Sequence, residues 1–229
     1  VPRNGKKTAN MGRQDADSYK AILRAAIQVF AKKGYHGCRI ADVAREARVA
    51  YGLVYHYFED KEQLLQSVFE HGWGGFVARV REVAESSLSL DQKVRGIASV
   101  AFEAYRFDPR AVKVIILEIA RSPAVDQASR QSAFVDVIRM CEGMFADAQS
   151  KGELPADADP LLCAALLFGS IEMALTAFVL GWKNGRSEKV LERAKHQLTE
   201  SFLHGIQPGA EFAWKKDKSN IGARDSRRS

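Results

Sequence analysis

Disulfide staples, membrane anchors and metal clusters are all things this sequence is poorly supplied for. Its three cysteines, Cys38, Cys141 and Cys163, are odd in number and widely scattered. That pattern excludes a disulfide framework and points to reduced thiols in a cytoplasm. His36 beside Cys38 has no second pair at ligand spacing, so no metal site is expected. No apolar run approaches the roughly 20 residues of a membrane span. Neither does a basic start followed by an apolar stretch mark a secretion signal. Six prolines and few β-branched runs leave little material for strands, and a mostly helical chain is expected. Gly5–Thr8 (GKKT) lacks the glycine spacing of a phosphate loop. No Ser/His/Asp set or carboxylate pair lies on a scaffold that would position it, so no catalytic residue and no cofactor is assigned.

What remains is 229 residues, enough to bury a substantial core in one domain, or in a small one attached to a larger one. The net charge of +6 is unevenly spread. Residues 1–20 carry five basic and two acidic side chains, 21–61 seven and four, and 207–229 six and three. The body, 62–206, carries sixteen basic and nineteen acidic ones and is therefore acidic. Positive charge on the segment 21–61 suits a nucleic-acid binder, while a basic tail is more often a solvated end than a DNA contact. The opening Val1–Gly5 reads as a protease-site or vector remnant. Residues 1–15 are accordingly expected to be a tail outside the fold, and 207–229 a disordered basic tail.

The segment Ile40–Phe58 (IADVAREARVAYGLVYHYF) is two short amphipathic helices with a break between them. Ile40, Val43, Ala44 and Ala47 fall at the helical period, with Arg45, Glu46 and Arg48 opposite. Leu53, Val54, Tyr57 and Phe58 repeat the pattern and leave Tyr51, Tyr55 and His56 off the apolar stripe. Residues 48–51 are too few for anything but a tight turn. Two helices joined so closely cross steeply, and burying both stripes presents the second as a protruding rod. Such a rod fits the major groove of B-DNA.

The other helices are read from caps and stops. The first begins at Asp17 or Ser18, runs to about Lys33 and stops at Gly34, with Ile22, Leu23, Ala26, Ile27 and Phe30 as its stripe. Asp60 caps a long helix that Gly72, Gly74 and Gly75 interrupt, each at about 1 kcal/mol relative to alanine. Those glycines predict a kink or close packing. Helices follow over roughly 91–107, 110–121, 124–151, 160–183 and 187–205. The segment 160–183 is apolar nearly all round, and its flanks and Glu172 favour burial in a protein assembly over a membrane.

At Gly34–Leu65 the segment GYHGCRIADVAREARVAYGLVYHYFEDKEQLL resembles the signature of TetR-type transcriptional regulators. The resemblance implies an all-α homodimer of about nine helices per subunit. A three-helix helix-turn-helix DNA-binding domain (16–65) would precede a helical ligand-binding and dimerisation domain (66–206), and the last two helices would pair across the dimer. By position, Tyr55 and Lys61 would grip phosphate, while Tyr51 and Gly52 would meet base edges. His56 would contact phosphate or sugar. Three departures stand out. Arg48 occupies a turn position where glycine is usual and positive φ often required. Ala50 replaces a polar cap, usually serine. Arg39 stands where a threonine is common, exchanging a hydroxyl–phosphate contact for an ionic one.

An effector pocket for a small apolar ligand is expected among Phe102, Tyr105, Ile116, Met140, Met144, Phe168, Ile171 and Phe178, since flexible methionines adapt to irregular shapes. Glu172 reads either as a polar handle for the ligand or as glue in the dimer interface. The run LFGSIEMA (167–174) faintly resembles the acyl-CoA-responsive members that control fatty-acid degradation. Gly72, Gly74 and Gly75 are the candidate hinge between ligand and DNA. The expected function is a ligand-responsive repressor on a palindromic operator. An activator of the same fold, and a helical ligand-binding or enzymatic protein with a vestigial helix-turn-helix, remain as alternatives.

Overall fold

The structure is a computed structural model that describes residues 12–119, 127–184 and 187–206. The basic tails 1–11 and 207–229 lie outside the described residues. So does 120–126, where one helix is expected to end and the next to begin. Among the described residues all regular structure is helical. The elements are α1 Arg13–Gly37, α2 Ile40–Ala47, α3 Tyr51–Tyr57, α4 Lys61–Ala84 and α5 Leu90–Phe107. They continue with α6 Pro109–Lys113, a π-helical turn Val114–Ile119, α7 Gln127–Ser150, α8 Pro160–Val179 and α9 Glu188–Ile206.

Helix α1 starts a turn earlier than Asp17, with Gly12 at its N-cap and no side-chain cap, so residues 13–15 belong to the fold and not to a tail. Its regular part ends at Gly34, whose φ of 72° and ψ of 162° no helix tolerates. Ile22, Leu23, Ala26 and Phe30 are buried along it. They close on Val43 and Ala44 of α2, Val54 of α3, Phe58, and Leu64 and Leu65 of α4. Tyr19 stacks on Phe58 at 5.3 Å and Tyr57 donates to Asp15 at 3.2 Å, so these two aromatics of the rod's inner side hold it to α1. A fully buried Phe of this kind contributes about 1.5–3 kcal/mol over an exposed one.

Helix α4 carries this reading head into the body. It starts on Asp60, whose carboxylate accepts from the Gln63 N–H at 2.7 Å. It runs unbroken through Gly72, Gly74 and Gly75, so of the two expectations, a kink or close packing, the kink is absent. Burial of Phe69 and Trp73 on one side of the glycines and Val80 on the other keeps the axis continuous. A Cβ on Gly72 would stand 3.4 Å from Ile115, while Gly74 and Gly75 face open space.

Capping sets the later boundaries. Ser89 and Gln92 form a reciprocal box at α5, Asp108 caps α6 through the Arg110 and Ala111 N–H groups, and Asp159 caps α8. The helix expected over 110–121 is α-helical only to Lys113 and then widens into the π turn. Helix α8 ends at Val179, short of 183, because Gly181 turns left-handed at φ 75°. There the Trp182 N–H reaches the Ala177 carbonyl at 2.9 Å and the Gly181 N–H the Phe178 carbonyl at 3.1 Å. Gly152 closes α7 in the same way.

Helix α8 is long and apolar enough, by length and composition, to cross a bilayer, which corrects the expectation that no run approaches that length. One side of it, Cys163, Ala164, Leu167, Ile171, Leu175 and Phe178, is buried in the core. The other side exposes Leu162 (56%), Leu166 (55%) and Met173 (60%).

Candidate nucleic-acid interface and ligand site

The sharp turn between α2 and α3 is built by residue 48. Arg48 has φ 57° and ψ 41°, the one non-glycine with positive φ among the described residues. Its N–H reaches the Arg45 carbonyl at 3.2 Å and the Val49 N–H the Ala44 carbonyl at 3.0 Å, the paired closure that normally rests on glycine. An L side chain in this conformation costs on the order of 1 kcal/mol. Val49 packs on the core behind the turn. Ala50 occupies the N-cap of α3 with no side-chain bond, so two of the three departures read from the sequence have the local geometry expected of them.

With Val54 and Phe58 buried, the opposite side of α3 turns outward and presents Tyr51, Gly52, Tyr55 and His56. Tyr51 and Tyr55 are about half exposed, at 54% and 45%. Their hydroxyls lie 3.2 Å apart and their rings meet edge-on at 5.1 Å. The hydrogen bond with Tyr51 raises the Tyr55 phenol above its ordinary value, which keeps it neutral at physiological pH. Gly52 has nothing within 4 Å of its missing Cβ, so an incoming surface can approach the backbone closely. Arg39, at the N-cap of α2, leaves its guanidinium exposed while its backbone N–H donates to Asp42 at 3.0 Å.

Lys61, expected to grip phosphate, has partners within the chain. Its ammonium donates to the carbonyls of Tyr35 at 2.8 Å and Cys38 at 3.2 Å, and lies 4.3 Å above the Tyr35 ring. It thereby closes the loop between α1 and α2 from below. Burial, then Glu62 and Asp60, push the Tyr35 phenol up to about 12, so the ring under the cation stays neutral. On the other flank Asp42 joins Lys33 at 2.8 Å and Arg45, and the Lys33 hydrogen bond, then the Arg39 N–H, lower its carboxyl below the ordinary value.

The residues expected to line an effector pocket do not converge. Phe102, Tyr105 and Phe178 form one cluster, with rings 5.8–6.3 Å from Phe178. Phe168 belongs to another, with Trp73 at 6.4 Å and Phe134 at 6.0 Å. Ile116, Met144 and Ile171 are buried in the common core, and Met140 packs against it. Glu172, expected either as a ligand handle or as glue in a dimer interface, is exposed on the outer side of α8, near Met173. Trp73, at the centre of Phe69, Phe76, Phe134 and Phe168, was not assigned from the sequence; its spacing from Phe69 and Phe76 on one helix face is the signal for it. A cavity of about 650 Å³ lies elsewhere, between the reading head and α6, with Tyr105 and Phe178 the only expected pocket residues in its wall. A smaller one, about 280 Å³, runs between α8 and α9 beside Ala174, Phe178 and Leu198. No cluster of three metal-ligating side chains occurs among the described residues.

Comparison with known proteins bears on this arrangement. Residues 22–68 match the family described as bacterial regulatory proteins, tetR family. The chain is 30% identical over 159 residues to the HTH-type transcriptional regulator UidR of Escherichia coli K12, covering 69% of this chain and 80% of that protein. It is 27% identical over 168 residues to the fatty acid metabolism regulator protein of Bacillus subtilis 168, covering 73% and 87%. The crystal structure of FadR from Bacillus subtilis in complex with stearoyl-CoA superposes with a TM-score of 0.71 at 25% identity, over 82% of this chain and all of that one.

Proposed function

The chain belongs to the TetR family of bacterial transcriptional regulators, and on that premise we propose that it is a cytoplasmic homodimeric repressor released from a palindromic operator by an effector with an apolar chain, a thioester of the acyl-CoA kind. DNA binding under ligand control is the family's activity. The observation that carries the finer reading is the outward side of α3, where Tyr51, Gly52, Tyr55 and His56 contribute little to the core and are free to meet a groove. Tyr55 would donate to phosphate and fix register, Tyr51 and Gly52 would meet base edges, and Arg39 and His56 would flank them. Lys61 would act indirectly, by holding the α1–α2 loop.

The exposed apolar side of α8, with Glu172 at its edge, supports pairing of α8 and α9 with a second copy. A dimer would set two recognition helices about 34–36 Å apart, one turn of DNA. A ligand shifts occupancy only through unequal affinity for two arrangements of the heads, and 1–3 kcal/mol changes DNA affinity about 5–150-fold. The acyl-CoA assignment is supported by the fatty-acid regulator among the relatives and by the stearoyl-CoA bound to a protein of the same fold.

A gel-shift titration on the DNA flanking the chain's own gene tests the reading. A sequence-selective, salt-sensitive shift is expected, weakened at least tenfold by Tyr55→Ala and reversed by palmitoyl-CoA. An unselective shift, or none, would overturn it in favour of a helical ligand-binding protein whose head no longer reads DNA.

A further inference from the structure

We infer that the cleft between the reading head and α6 binds the phosphate-bearing end of an organic anion, and that the head responds to its occupation. The place is argued from the geometry alone; the identity of the anion as a coenzyme A moiety rests on the proposed effector. The cleft, about 650 Å³, falls within the ordinary range for small-molecule sites. Its head wall carries Lys32 and Lys33 of α1 and Arg45 of α2, and its body wall Arg110 and Lys113 of α6. Five cations face two carboxylates, Asp42 and Glu46, so the lining has an excess of three positive charges. This excess does not lie on the exposed side of α3, and the proposed DNA contacts do not use it.

The wall chemistry selects the ligand class. Asp42 is already committed to Lys33, Arg45 and the Arg39 N–H, and these hold it anionic. A single carboxylate, such as a free fatty acid, would match one wall and leave the other unpaired. A phosphate or diphosphate offers several oxygens and reaches both walls. Tyr105 and Phe178, with Val29 and Pro109, form an apolar part of the lining that suits the organic remainder of such a ligand. Burial raises the Tyr105 phenol, so it adds no negative charge.

Occupation would be felt by the head because one of these cations joins it to the body and another ties its first two helices together. Lys113 reaches across the cleft to the Ala31 carbonyl near the end of α1, at 2.8 Å. Lys33 and Asp42 tie α1 to α2 at 2.8 Å. An anion in the cleft competes with both acceptors for these ammonium groups. It draws α6 and the α1–α2 pair towards itself, which favours one orientation of the head over the other.

Isothermal titration of the full chain with coenzyme A tests this, with palmitate and inorganic pyrophosphate as further probes. Coenzyme A is expected to bind, palmitate to bind without sensitivity to the cleft, and Lys32→Gln and Arg110→Gln each to weaken coenzyme A about tenfold. Glu46→Gln removes a repelling carboxylate and is expected to tighten it severalfold, a gain that a merely misfolded variant would not show. Unchanged affinity in all three variants overturns the site. Palmitoyl-CoA releasing operator DNA equally from wild type and variants would keep the proposed effector and reject the cleft. Pyrophosphate binding that follows the variants, without coenzyme A binding, would keep the cleft and reject the effector. Binding of neither probe to the wild-type chain rejects the cleft.

Discussion

Arg48 shows how much of this molecule is decided by single residues. Three helices end in the same paired closure, two of them on glycine and one on arginine. Arg48→Gly should therefore stabilise the fold by about 1 kcal/mol, raising Tm by about 2–4 °C in a domain of this size. Calorimetry of the two proteins checks it, and an unchanged or lowered Tm would mean the exposed side chain repays its strain. This strain was legible in the sequence because a turn of four residues leaves few conformations for position 48. Ala50 was legible for the same reason. Lys61 was not: its acceptors at Tyr35 and Cys38 lie more than twenty residues away in the chain and are backbone groups, which no side-chain pattern announces. Glu172 was left with two readings because a helix apolar on all sides carries no periodicity from which to tell its inner side from its outer.

At the scale of elements, α4 and the α5–α9 pair invite opposite experiments. Gly74 and Gly75 lie on an unbroken helix with open space where a Cβ would go. Gly74→Ala and Gly75→Ala should each stabilise the chain by about 1 kcal/mol, read as a higher denaturation midpoint. If the glycines are also the proposed hinge, the same variants will bind operator DNA normally yet respond less to effector; full response would leave them without that role. Between α5 and α9 the clamp is Arg95, which holds Asp91 at 2.8 Å, Glu200 in a short contact and the Thr199 hydroxyl at 3.4 Å. Hydrogen bonds from Arg95 lower both carboxyls below their ordinary values of 3.8 and 4.5. A lowered folded-state pKa gives stability that is complete above the unfolded value and disappears as pH falls through the folded one. Arg95→Gln should thus lower the denaturation midpoint at neutral pH and lose that effect in acid, once pH has fallen below the lowered folded-state values of both carboxyls. An equal loss at neutral and acid pH would assign Arg95 a packing role alone.

For the whole molecule, an unfinished surface is the outer side of α8, whose buried side anchors it in the core while Leu162, Leu166 and Met173 face outward. Leu166→Glu places a charge in the middle of that side without disturbing the core. It should convert a dimer to a monomer by light scattering and abolish high-affinity operator binding; a dimer that survives would locate the pairing surface elsewhere. The helix inventory could be read from caps and stops, since those are local. The cleft between head and body could not, because its walls come from α1, α2 and α6 and exist only once the chain has folded. The π turn at Val114–Ile119 lies directly after the body wall of that cleft, with Ile115 against the bare Cα of Gly72. A π turn winds one residue more into each loop than an α turn does. This stretch is therefore spare length, held in reserve at the joint. Tightening it into ordinary pitch would take up slack and turn Lys113 about the helix axis relative to the residues that follow.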